Sequence, residues 1–182
     1  MANEGNLPQW VGNDPMMMEY MRDEWGRIAH GEQVVFERLC LELFQSGLSW
    51  LTILKKREAF RGAFAMFDPD VVATFGEADV DRLMSDARIV RNHRKINAVI
   101  TNAHATLALR DAGGLDAIVW AYASEQPVEL DGNGMPPTQS PESVALARDL
   151  KLKGFTFVGP TNMYALMCAI GVVNVREALG LV

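Results

Sequence analysis

Cysteine is scarce in this chain: two in 182 residues, Cys40 and Cys168, both inside apolar helical stretches. That excludes a disulfide framework and leaves two buried free thiols in a reducing compartment as the expected state. Long apolar runs are also missing, so nothing in the sequence is expected to span a membrane. Met1-Ala2-Asn3-Glu4-Gly5-Asn6 has neither the basic region nor the apolar core of a secretory signal. The chain is therefore expected to be cytoplasmic. Alternating apolar and polar runs of useful length, the mark of half-buried strands, do not occur, and neither do internal repeats. Positive charge is in the minority, with 17 Lys and Arg against 23 Asp and Glu. A net charge of −6 weighs against a phosphate-rich partner.

What is present reads as a single all-α domain over residues 1–182, with room for two helical lobes. Forty-nine per cent apolar and 22% charged residues suffice for a real core. Asp14-Pro15 predicts a helix start, with Trp25-Gly26 closing the segment. Helices are expected over Gln33–Ser46, Ser49 to about Phe67, Val71 to about Phe75, and Ala78 to about Ala87. Asn92 can cap a helix carrying Ile96, Val99, Ile100, Ala103 and Leu107, which Gly113-Gly114 breaks. Further helices are expected over Leu115–Ser124, Ser140-Pro141 to about Lys153, and Pro160–Ala169. Between them, Asp131-Gly132-Asn133-Gly134-Met135-Pro136-Pro137 is a clear loop.

The charges are not evenly spread. Lys55, Lys56, Arg57 and Arg61 form one basic cluster, and Arg88, Arg91, Arg94 and Lys95 a second. Between Asp111 and Asp149 the acids, Glu125 among them, face only Arg148. A basic face on an acidic body and a set of solvated helix faces are both consistent with this pattern. The second cluster surrounds a helix, tight hairpin and helix over Leu83–Ile100. Such a turn can point backbone N–H groups at a phosphate.

The most informative stretch is Leu39–Trp50. Val35, Leu39, Glu42 and Ser46 follow at spacings of three and four, which places Glu42 on an inward-facing stripe. A carboxylate there is costly unless something pairs with it. Gly47 ends that helix, Ser49 caps the next and Trp50 opens it. The elbow thus brings an acid and a large aromatic face together, which suits a flat cationic or amide-bearing ligand. Taken singly, Glu42 could instead pair with a buried arginine, and Trp50 could be plain core.

In chain order, Asp14-Pro15, Tyr20, Glu24-Trp25-Gly26, Leu41-Glu42, Gln45, Gly47-Leu48-Ser49-Trp50 and Leu54-Lys55-Lys56-Arg57-Glu58 resemble the 3-methyladenine DNA glycosylase I family. The likeness continues through Phe67-Asp68-Pro69, Ile89, Arg91, Lys95-Ile96, Gly154-Phe155, Phe157-Val158-Gly159, Tyr164 and Gly171. The resemblance implies a helix-hairpin-helix bundle that hydrolyses the N-glycosidic bond of a flipped-out 3-methyladenine in alkylated double-stranded DNA. It implies Glu42 as the catalytic residue and Trp50, Tyr20 and Trp10 as the base pocket. Gly47 and Leu48 enter the vacated stack, and Arg88, Arg91, Arg94 and Lys95 contact DNA. A monomer without cofactor is expected. A protein that binds alkylated DNA or free cationic purines without bond cleavage is the alternative.

The sequence also departs from the family. The zinc site that ties the family's termini together with two Cys and two His is absent. Met21 stands where a His ligand belongs, and the tail after Gly171 has neither residue type. No metal is expected, and Val172, Val173, Leu179 and Leu181 are candidates to hold the termini by packing. Arg88 replaces a hairpin glycine and is expected to be strained if the turn needs a positive φ.

Overall fold

Helices begin where a side-chain oxygen can take up the unpaired N–H groups of a first turn. Asp14 accepts a hydrogen bond from Met16 N at 3.0 Å, Pro15 supplies the first residue, and α1 runs Pro15–Asp23. α2 (Glu32–Gln45) ends at Ser46, and Gly47 makes the turn at φ +82°, a region open to glycine and strained for other residues. Ser49 Oγ then accepts Thr52 N at 3.2 Å and starts α3 (Trp50–Ala63). In the computed structural model, residues 8, 10–124 and 126–181 are described. The N-terminal segment 1–6 and Glu125 lie outside the described residues.

The chain continues through α4 (Pro69–Val72), α5 (Glu77–Ser85), α6 (His93–Ala108), α7 (Gly114–Trp120), α8 (Pro141–Leu152), α9 (Pro160–Ala169) and α10 (Val175–Ala178). No strand occurs among the described residues, so the expected all-α class stands. α2 is the central rod, packed on α3, α6, α7 and α9. Val35, Phe36, Leu39, Cys40, Leu41, Leu43 and Phe44 bury it on every side, as a helix inside a bundle requires.

Apolar side chains form two clusters. The larger unites α2, α3, α6, α8 and part of α9 around Phe36, Phe44, Phe60, Phe64 and Leu83. The smaller joins α1 to the C-terminal elements through Met17, Tyr20, Met21, Trp25, Tyr164, Val175 and Leu179. Trp50 packs against both. Val172 and Leu179 are buried, and Val173 and Leu181 pack against the smaller cluster, as expected for the C-terminal tail.

Four helix ends differ from expectation, among them that of α4, which runs Pro69–Val72 rather than Val71 to about Phe75. α3 stops at Ala63 rather than near Phe67, because Ala65, Met66 and Phe67 adopt positive φ (50°, 57° and 57°). That turn lets the Phe64 and Phe67 rings stack at 5.6 Å, and Gln33 Nε2 ties it down by donating to Met66 O at 2.9 Å. α5 ends at Ser85 and α7 at Trp120, each short of its expected limit. α10, a four-residue helix capped by Asn174, was not anticipated from periodicity, which needs a longer window.

Candidate active site

Glu42 lies in the penultimate turn of α2, only 6% exposed. No described residue donates a hydrogen bond to its carboxylate. Burial pushes its pKa up to about 8, against the pull of Arg38 one turn earlier. Tyr20, on α1, faces the same space. Burial first, and the nearby Glu42 charge second, hold its phenol well above the usual tyrosine range. The Tyr20 and Trp50 rings lie 5.3 Å apart at 41°. Trp50 Nε1 is buried and has no hydrogen-bond partner among the described residues. Three helices thus bring an acid, a phenol and an indole to one seam between the apolar clusters. Polar groups left this way inside a protein cost roughly 1–3 kcal/mol each.

The neighbouring carboxylates behave differently. Glu24 forms ion pairs with Arg38 and Arg57 and accepts a hydrogen bond from Arg57 Nη1 at 2.7 Å. Glu37 accepts Arg57 Nε at 3.0 Å and Arg61 Nη2 at 2.8 Å. This network joins the end of α1 to α2 and α3 beside Glu42, and sequence reasoning missed it. The spacing of Arg38 four residues before Glu42 was the available signal. It also departs from both readings of the first basic cluster, as a basic face or as a solvated helix face. Arg57 and Arg61 are consumed by these acids, Lys55 pairs with Asp14 at 3.6 Å, and Lys56 Nζ donates to Ala87 O and Arg88 O.

Trp10 is exposed and sits edge-on to Trp25 at 5.5 Å, so it joins the arm that carries Tyr20 and does not touch the Tyr20–Trp50 pair through its own ring stack. Gly47 and Leu48 form the exposed elbow between α2 and α3, with Leu48 39% exposed at its tip. The turn is closed by Leu48 N donating to Gln45 O at 2.7 Å and Gln45 Nε2 donating to Leu48 O at 2.8 Å.

The second basic cluster divides. Arg91 and Arg94 are exposed, have no acidic partner among the described residues, and flank the start of α6; the Arg94 guanidinium lies 5.8 Å from the Phe157 ring centre. Arg88 is exposed too, but three hydrogen bonds tie it to Asp86, whose carboxyl they hold down at about 2. The strain expected at Arg88 is not found. Asp86 Oδ1 accepts Arg88 N and closes the turn without a positive φ at that residue. Lys95 is a larger correction. It is 7% exposed, and its Nζ donates to Phe44 O at 2.8 Å and Ser46 O at 2.6 Å. An ammonium held on the last carbonyls of α2 is not presented to a phosphate.

Zinc does not fit the terminal region. Among the described residues no group of three or more His, Cys, Asp or Glu could hold a metal ion. Met21, 1% exposed, lies in the smaller apolar cluster instead. The termini are joined there by Arg176, whose Nη1 donates to Met21 O and Trp25 O and whose Nη2 donates to Leu181 O. Gly171 allows the close approach, since a Cβ there would meet Arg27 C and Ile28 N at 2.9 Å.

Residues 10–179 match the profile of the methyladenine glycosylase family. DNA-3-methyladenine glycosylase 1 of Escherichia coli (strain K12) is 43% identical over 168 residues, 91% of this chain and 90% of that protein. A crystal structure of 3-methyladenine DNA glycosylase I superposes with a TM-score of 0.84 at 43% identity, over 91% of this chain and 92% of the other. A tyrosine-to-phenylalanine variant of 3-methyladenine DNA glycosylase I, in complex with 3-methyladenine, superposes with a TM-score of 0.83 at 32% identity, covering 89% of each chain. With its elbow, its hairpin and nearly its whole length matched, this chain belongs to the methyladenine glycosylase family.

Proposed function

We infer that the protein is a DNA-3-methyladenine glycosylase, a hydrolase that cleaves the N-glycosidic bond of 3-methyladenine in alkylated DNA. The observation that carries the site assignment is the convergence of Glu42, Tyr20 and Trp50, for whose polar groups no hydrogen-bond partner occurs among the described residues, beside acids that are paired with arginines. A polar set of this kind is satisfied by a ligand. Trp50 offers a face to a cationic purine, worth about 0.5–2 kcal/mol. Glu42 accepts hydrogen bonds from the amino edge of the base and balances its charge. Tyr20 lines the opposite wall, with Trp10 at the rim.

The chemistry asks little of an acid. Alkylation gives the purine a positive charge, so it departs as a neutral base when the C1′–N bond breaks. The sugar acquires oxocarbenium character, and water adds to C1′ with loss of a proton. The positive charge passes from the base to the sugar in this step, and a carboxylate in a low-dielectric seam can balance it as it moves. Lys95 supplies no covalent path, because two carbonyls hold its ammonium. Before any bond breaks, the nucleotide must leave the stack, at a cost of a few kcal/mol. In this reading Leu48, exposed at the elbow, fills the gap, while Arg91 and Arg94 at the hairpin hold phosphates and Arg88 takes a lesser part beside Asp86. Duplex DNA as the substrate, action as a monomer and a cytoplasmic location belong to the same proposal. No helix among the described residues is long and apolar enough to cross a membrane.

The test is release of free 3-methyladenine from methylated duplex DNA by wild type, Glu42→Gln and Trp50→Ala, with a chelator present throughout. Release by wild type that survives the chelator and collapses in both variants is expected. A folded wild type that binds methylated DNA and releases no base would overturn the enzymatic reading in favour of a binding protein.

A further inference from the structure

Lys95 occupies an unusual place for a residue of a DNA-facing hairpin. It belongs to the first turn of α6, where the Asn92 side chain accepts its backbone N–H at 3.1 Å. Its side chain leaves the hairpin and crosses to the C-terminus of α2, where its ammonium takes Phe44 O and Ser46 O. The last carbonyls of a helix have no partner within it, and they carry the negative end of its dipole. One cation therefore satisfies the end of α2 and fixes the residue immediately before Gly47. From Ser46 the elbow continues through a glycine at φ +82°, to Leu48, which Gln45 clasps through two hydrogen bonds. From the other side, Lys56 of α3 holds Ala87 O and Arg88 O in the hairpin turn. Two lysines of the apparent basic clusters thus bind backbone carbonyls at this junction, Lys95 from α6 to the end of α2 and Lys56 from α3 to the hairpin turn.

We propose that Lys95 is a positioning residue that ties the Gly47–Leu48 elbow to the hairpin helix, so that seating the hairpin on phosphates aims Leu48 into the DNA stack. This rests on the glycosylase reading above, in which hairpin and elbow meet one DNA molecule. A bridge made through a flexible loop would lose orientation between phosphate grip and insertion. Errors of about 1 Å in such placement cost roughly 100-fold in rate. The base pocket itself, formed by Glu42, Tyr20 and Trp50, does not use the Lys95 side chain. The residue should therefore matter for a base within DNA and not for the base alone.

The experiment compares wild type, Lys95→Met, Leu48→Ala and the double variant. Each is assayed for base release from methylated duplex DNA, for calorimetric binding of free 3-methyladenine, and for its melting temperature. Lys95→Met is expected to keep the affinity for the free base within about twofold, while kcat/KM on DNA falls about tenfold or more, chiefly through kcat. In the Leu48→Ala background, Lys95→Met should cost less than about threefold, since both act through the same insertion. Lys95→Gln, which can still donate to one carbonyl, should lie between wild type and Lys95→Met, and it carries the same comparison should Lys95→Met fail to fold. Parallel losses of free-base binding and of release from DNA would overturn the proposal. So would full additivity with Leu48→Ala, or no loss at all. A wild type inactive on DNA would overturn the glycosylase reading and this inference with it. Wild-type activity combined with parallel losses in the variants would overturn this inference alone.

Discussion

Two carboxylates five residues apart on α2 have opposite surroundings. Glu37 accepts Arg57 and Arg61 and, with Glu24 and Arg38, belongs to a network in which charges of both signs are matched. Glu42 is more deeply buried, accepts no hydrogen bond from a described residue, and is pushed up to about 8. Folding alone rewards the first arrangement and penalises the second. The difference separates scaffold from site. The network fixes α1, α2 and α3 against each other, and Glu42 then stands at the seam with a cost that, in the function proposed above, a bound base relieves.

Breaking the matched side should cost most. Glu24→Gln leaves Arg38 and Arg57 buried without their shared acid, and a loss of about 3 kcal/mol in stability is expected by denaturant unfolding. The unmatched side should show the reverse pattern. Glu42→Gln is expected to lower kcat/KM for base release about 100-fold, or about 2.7 kcal/mol, while leaving the protein folded. Wild-type kcat/KM should rise with pH through about 8 as Glu42 ionises, and the variant should lose that rise.

The same carboxyl makes a prediction for stability. Its folded pKa, about 8, exceeds the ordinary value of 4.5. Between these values the folded chain keeps a proton that the unfolded chain has released, so stability from this site falls as pH rises through the window. Glu42→Gln should therefore be more stable than wild type above pH 8, by about 1–3 kcal/mol, with the gap closing toward pH 4.5. Thermal unfolding across that range would check the sign.

The hairpin offers the smallest and finest comparison. Arg91→Ala and Arg94→Ala should each weaken DNA binding a few-fold and lower the slope of log affinity against log salt by about 1. Arg88→Ala, which loses a cation already matched to Asp86, should change that slope by less than about half as much. Equal slopes for all three variants would erase the distinction drawn between Arg88 and its neighbours.

Much of this was legible in the chain. Helix starts at Asp14-Pro15, Ser49-Trp50, Asn92 and Ser140-Pro141 stand where capping chemistry puts them. Glu42 on an apolar stripe could be read from spacing alone. What failed to read was the fate of the basic residues. Lysine and arginine on a helix look alike in sequence whether they meet water, a carboxylate or a carbonyl. Arg57, Lys56 and Lys95 belong to clusters read as either a basic face or solvated helix faces, and they are turned to the protein instead, because their partners, Glu24, Arg88 O and Phe44 O, lie 32 to 51 positions away. The left-handed run Ala65–Phe67 was likewise hidden, since stacking of Phe64 on Phe67 and not local propensity selects it.

By itself the sequence determined the all-helical class, the order and capping of the long helices, and the acid-and-aromatic elbow. Those follow from periodicity, short-range hydrogen bonding and the identity of residues, all of which act within a few positions. Only the tertiary structure decided which charges are matched and which are not. It also decided that Arg176 and an apolar cluster join the termini, and that Lys95 links the elbow to the hairpin. Electrostatic partnership depends on distance through space and on the exclusion of water, and neither exists until the helices have packed.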